Sequence, residues 1–156
     1  MSEGVEWSLH CCLTLCWIET DRPAPAAKLA AIFDLPAPYL NKRLQALVRG
    51  GVLVSTPGVH GGFRLARPPE KITLMDVVTA IEGAEPAFRC TEIRQRGAGA
   101  DRPDHEFQRQ CVVTTAMRKA ELAWRRELAG QTVADLVASA PSCAAERTRS
   151  WYARAG

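Results

Sequence analysis

Apolar residues recur at helical spacing through most of this chain and give way to strand-like runs in one short region. Leu9, Cys12, Leu13 and Cys16 form a buried stripe on a first helix, which Thr20-Asp-Arg-Pro-Ala-Pro25 then breaks. A second helix is predicted from Ala26 to Phe33, with Leu29, Ala30 and Phe33 facing inward. Asp34-Leu-Pro-Ala-Pro38 supplies a tight turn before a third helix from Tyr39 to Arg49. There Leu40, Leu44, Leu47 and Val48 share one face and leave Asn41, Lys42, Arg43 and Gln45 outside. The pair reads as a helix-turn-helix. Gly50-Gly51 caps the third helix, Val52 to Ser55 and Phe63 to Ala66 read as strands, and Thr56 to Gly62 turns between them, giving a two-stranded wing. Thr73 with Asp76 forms a capping box for a fourth helix faced by Leu74, Val77, Val78 and Ile81 and closed by Gly83.

From Ala84 to Gln110 the pattern turns polar and irregular, with Gly97 to Asp104 as a loop between Cys90 and Cys111. Val113, Met117, Ala120, Trp124 and Leu128 then form a long apolar stripe that nothing else in so small a chain buries, which points to a dimer-forming helix. Thr132 to Ala138 adds a short helix, and Ser142 to Gly156 is too polar and rich in small residues to place. The expected fold class is mainly α: a winged helix-turn-helix with a two-stranded wing and a long C-terminal dimerisation helix. The expected division is 1–83 for the winged helix-turn-helix, 84–110 as a cysteine-bearing loop, 111–138 for dimerisation helices, and 139–156 as a tail of uncertain structure.

Composition narrows the function. With 156 residues, 47% hydrophobic and 24% charged, the chain fits one globular unit that needs no disulfide staples. No apolar run approaches the length of a membrane span, and Leu9 to Ile18 is interrupted by polar groups and preceded by acids, so a cytoplasmic location is expected. Six cysteines in such a setting are reduced thiols with a metal or redox role rather than a disulfide framework. The net charge of +3 is small, but Leu35 through Pro69 contains no Asp or Glu while holding Lys42, Arg43, Arg49, Arg64 and Arg67. That window coincides with the winged helix. Lys42 and Arg43 suit phosphates or guanine edges, Tyr39 and Asn41 suit phosphate or base, and the His60-Gly61-Gly62-Phe63-Arg64 tip lets backbone approach a double-stranded DNA operator. The bland alternative is a solvated basic face.

Glu6 and His10 stand four residues apart and project from one helix face, so they can grip one ion or cluster together. On its own such a pair is more often a surface salt bridge. With Cys90 and Cys111 it makes four potential ligands of mixed softness. Cys12 and Cys16 fall on the core stripe, Cys143 is incidental, and His105 is at most a spare ligand.

Helix-turn-helix, Gly-Gly-aromatic-Arg wing, the Ile72-Thr-Leu-Met-Asp-Val-Val78 helix and a cysteine-bearing loop before a long helix resemble the Rrf-type family of iron-sulfur transcription regulators, from Val5 to about Ala138. Gly4-Val-Glu-Trp-Ser-Leu-His-Cys-Cys12 and Phe88-Arg-Cys-Thr-Glu-Ile-Arg-Gln-Arg-Gly97 are similar to signature segments of a redox-sensing member of that family. The resemblance implies a homodimer with a 2Fe-2S cluster bridging subunits and Glu6, His10, Cys90 and Cys111 as metal ligands. Relatives with three loop cysteines differ, since Phe107 stands where a further one would fall. Replacing two thiolates by oxygen and nitrogen raises the potential of such a cluster and suits a one-electron switch in a repressor. Trp7, beside Glu6, is expected to change its packing with redox state. The alternative is a winged-helix regulator without a cluster, using thiol chemistry or zinc at the same groups. An enzyme is not expected, because no nucleophile and base pair or phosphate loop occurs.

Overall fold

The first helix, α1 (Glu3–Trp17), is wrapped by its neighbours, and this sets the architecture. In this computed structural model, which describes residues 1–18, 20 and 22–154, it packs against α3 (Ala37–Arg49), α4 (Leu74–Glu82), α6 (Val133–Ser139) and α7 (Ser142–Arg154). Asp21 of the connecting loop and the last two residues of the tail lie outside the described residues. Burial on several sides explains why the expected stripe is incomplete. Cys11 and Cys12 are fully buried, whereas Leu9 and Cys16 are half-buried. Ser8 is buried too, donating its hydroxyl to the Gly4 carbonyl at 2.7 Å.

The helix-turn-helix consists of α2 (Ala26–Ile32) and α3, with Leu29, Leu40, Leu44 and Leu47 closed into the core. α2 ends in a Schellman turn: Asp34 takes the left-handed conformation at φ 52°, and the Leu35 N–H donates to the Ala30 carbonyl at 2.9 Å. α3 ends likewise, with Gly51 at φ 68° and the Val52 N–H on Leu47 at 2.9 Å. The chain then enters the wing, where β1 (Leu53–Thr56) pairs antiparallel with β2 (Gly62–Leu65), Leu53 facing Leu65 and Thr56 facing Gly62. A bridge from Ala24 to Phe63 adds the segment before α2 to the wing. The expected capping box of α4 is present, Thr73 accepting from the Asp76 N–H and Asp76 accepting from the Thr73 N–H, each at 3.0 Å.

The chain forms two compact units, Met1–Ala84 with Leu128–Gly156, and Glu85–Glu127. α6 belongs to the first unit. The Leu74 N–H donates to Gln131 and the Val133 N–H to Ile72, each at 2.9 Å, and Val133 is fully buried. The tail that the sequence left unplaced is α7, packed on α1 and α2. Ala144, Ala145, Thr148, Trp151 and Tyr152 form its less exposed face at helical spacing, a stripe hidden by its small residues.

In the second unit, 3-10 turns at Ile93–Gln95, Gly97–Gly99 and Asp104–Phe107 precede α5 (Val112–Ala129), which is completed by residues of the first unit. The segment before these turns is pinned to α5. Buried Glu121 accepts from the Ala87 N–H at 3.2 Å and pairs with Arg125 at 2.8 Å, and Arg125 donates to the Glu85 carbonyl at 3.0 Å.

Candidate functional site

α3 presents Tyr39, Asn41 and Lys42 to solvent, as amphipathic spacing requires once its leucines are buried. Arg43 does not follow them. It is half-buried, its guanidinium lies over Gly4 of α1, where an added Cβ would come within 2.8 Å of Nε, and that Nε is buried without a partner. The absent side chain at Gly4 thus makes room for an arginine that links the exposed helix to the first turn of α1.

In the wing, His60 and Arg64 are exposed. Gly61 and Gly62 serve the protein's own backbone: a Cβ at Gly61 would fall 2.1 Å from the Thr56 carbonyl oxygen, and one at Gly62 2.4 Å from that of Ala24. Glycine is needed here for the turn and for the Ala24 bridge. Between α3 and the wing lies a groove of about 520 Å³, lined among others by Asn41, Gln45, Ser55 and Thr56. Gln45 lies on this groove beside Asn41, a position that helical periodicity marks only as outward.

Glu6 and His10 are exposed on one face of α1 and share a hollow of about 230 Å³ with Trp7, Phe33 and Leu35. The His10 ring meets the Phe33 ring at 5.5 Å between centroids, tilted 53°. His10 of the candidate ligand pair therefore touches the start of the helix-turn-helix turn, and Glu6 lines the same hollow. Trp7, half-buried between them, packs against the core.

Cys90 and Cys111 belong to the second unit. Cys111 stands at the N-terminus of α5, where the backbone N–H groups of Thr114 and then Val113 hold its thiol below the ordinary range, with a smaller contribution from Arg94. The Cys90 sulfur accepts the Glu92 N–H at 3.4 Å. Arg94 feels the charge of both thiols, and it was not legible in the sequence as part of the site. Its guanidinium pairs with Glu92, Nη2 to Oε2 at 2.8 Å, and also donates to the Arg109 carbonyl at 3.2 Å, closing the loop on itself. Two soft donors whose sulfurs accept backbone N–H groups, with Cys111 biased toward thiolate, suit an iron-sulfur centre. Among the described residues, no group of three or more His, Cys, Asp or Glu side chains in the single chain is placed to hold a metal ion. Cys11 and Cys12 are buried, and burial raises both thiols, that of Cys11 to about 12. His105 and Cys143 are exposed.

This winged helix-turn-helix with a cysteine-bearing loop matches a known family over residues 1–139, described as Rrf2, iron-dependent transcriptional regulator. The chain belongs to the Rrf2 family. It is 30% identical over 136 residues to a putative helix-turn-helix transcriptional regulator, YffB, of Lactococcus lactis, covering 87% of this chain and 85% of that one. Among solved structures, CymR, the global cysteine regulator of B. subtilis, superposes with a TM-score of 0.66 at 20% identity, covering 90% of this chain and 98% of that chain. IscR of T. potens gives 0.66 at 20% identity, with 92% and 89% covered. This Rrf2-family protein is thus a helix-turn-helix transcriptional regulator and not an enzyme. No helix among its described residues is long and apolar enough to cross a membrane.

Proposed function

We propose that this Rrf2-family protein is a DNA-binding repressor that senses redox state through a 2Fe-2S cluster held by Glu6, His10, Cys90 and Cys111. The cluster bridges the subunits of a homodimer in this reading. The observation that carries the proposal is the hollow that Glu6 and His10 share with Phe33 and Leu35, since it joins the proposed ligand pair to the turn that sets α3. The iron-dependent character of the matched family supports the reading, as does the thiolate bias of Cys111. When bound, the cluster would supply reversible one-electron chemistry.

The protein's own residues do the rest. Cys90 and Cys111 supply soft donors, and backbone N–H groups on their sulfurs disperse negative charge. Glu6 and His10 supply harder donors, and any change in their position reaches Phe33 and Leu35 directly. Tyr39, Asn41 and Lys42 on α3, with His60 and Arg64 on the wing, meet DNA; Arg43 sets the angle between α3 and α1, and Gly61 and Gly62 shape the wing. Two α3 helices in a dimer must match half-sites about one DNA turn apart, so a small tilt changes affinity.

Anaerobic purification followed by a visible spectrum and iron, sulfide and zinc analysis tests the proposal. Visible absorption with equal iron and sulfide, lost together in Glu6→Ala, His10→Ala, Cys90→Ala or Cys111→Ala, is the expected outcome. A colourless protein, or one holding zinc, supports the cluster-free alternative instead.

A further inference from the structure

A hollow of about 710 Å³ adjoins the α3 groove and is separate from the hollow of the ligand pair. Its walls include Thr20 and Arg22 of the loop after α1, Lys28 of α2, Val59 and His60 at the wing tip, and Tyr152 of α7. The described lining carries two permanent cations and an imidazole, and no carboxylate. Val59 also lines the groove beside α3, so the two hollows meet at the wing tip.

Lys28 is held rather than loose. Its ammonium sits 4.0 Å from the centre of the Tyr152 ring, which fixes the charge at the wall while its N–H groups remain able to donate. Tyr152 is itself half-buried on a helix packed against α1 and α2, so the ring is a firm support. The Thr20 hydroxyl accepts the Arg22 N–H at 3.1 Å.

We propose that this basic trough is a second DNA contact, which takes phosphates of the duplex backbone beyond the wing, and that α7 belongs to the DNA-binding apparatus through the Tyr152 support of Lys28. The inference rests on the assignment as a DNA-binding regulator. A wing tip reaches the backbone beside the groove that the recognition helix occupies, and the trough adjoins the α3 groove at Pro25 and Val59, so it extends that contact along the duplex backbone. The Arg22 and Lys28 cations are complementary to a phosphodiester, and a broad hollow suits a run of backbone. Arg22 and Lys28 neutralise phosphates, His60 donates from the wing, and Tyr152 is a positioning residue.

Backbone contacts release counterions, so they are read from salt dependence without knowledge of the operator. The test is binding of the full chain to a mixed-sequence duplex of about 30 base pairs, between about 50 and 200 mM salt. Arg22→Ala and Lys28→Ala are each expected to lower the slope of log K against log salt by about 0.9 per bound protomer. Tyr152→Phe is expected to keep the wild-type slope, and Tyr152→Ala to lower it in the wild-type background but not in Lys28→Ala. A merely structural role for Tyr152 would act equally in both backgrounds. Unchanged slopes in Arg22→Ala and Lys28→Ala, in proteins that melt and bind duplex as the wild type does, overturn the inference and leave the hollow to some other anion. A wild-type protein that binds no duplex overturns the underlying assignment instead.

Discussion

Arg43 and Lys42 are adjacent and chemically alike, yet the structure gives them different work. Lys42 is exposed on α3, whereas Arg43 rests on Gly4 with a buried, unpaired Nε. Lys42→Ala should weaken DNA binding and leave Tm within the range of ordinary surface changes. Arg43→Ala should also destabilise the fold by about 1 kcal/mol through lost packing. Thermal melts of the two variants check this, and equal Tm values would return Arg43 to the DNA surface. Periodicity marked both residues as outward because Arg43 sits at the edge of the buried face, and only the gap at Gly4 shows which way its long side chain turns. The thiols separate similarly. In cluster-free protein, Cys111 is biased toward thiolate by the Thr114 and Val113 N–H groups, while burial keeps Cys11 and Cys12 protonated. Iodoacetamide near neutral pH should therefore modify Cys111 well before Cys11 or Cys12, with the Cys111 rate falling as pH drops through its lowered pKa. Peptide mapping by mass spectrometry gives the order, and early labelling of Cys11 would contradict the burial.

Among the elements, local rules carried most of the information. The capping box of Thr73 and Asp76, the Gly50-Gly51 stop and the leucine face of α3 stand where spacing alone puts them. The outcome for α7 was different, because its inward face uses Ala144, Ala145 and Thr148, which carry little hydrophobic signal. α6 offers a test of cap chemistry. Asp135 is held below the ordinary carboxylate value of 3.8, first by the Thr132 hydroxyl and then by the Thr132 N–H. A depressed folded pKa stabilises above the unfolded value and is lost as pH falls through the folded one. Asp135→Ala should accordingly melt below wild type at about pH 6, and the gap should close as the pH is taken below about 4. A gap that widens in acid would rule out this role. Thr132→Ala should cost ~1 kcal/mol at any pH above that window.

At the scale of the whole molecule, α5 leaves Val112, Val113, Met117 and Leu122 exposed, with Leu122 at 61%. So much apolar surface on one helix fits a subunit interface. Met117→Asp should shift the protein from dimer to monomer in sedimentation and reduce operator affinity with it, whereas an unchanged mass would place the interface elsewhere. The sequence foreshadowed this helix because its stripe is long. A first helix lying under the helix-turn-helix, with Glu6 and His10 on it, follows from the sequence, but Phe33 as the residue that meets His10 does not, since that contact arises only through tertiary packing. That link is the centre of the account, and one titration reaches it most directly. DNA affinity is followed anaerobically as the protein is stepped between oxidised and reduced states, with visible absorption recording the cluster in the same cuvette. The account predicts that affinity and absorption change together at one midpoint in the wild type and that His10→Ala abolishes this coupling. Identical affinity in both states of a cluster-loaded wild type would contradict it.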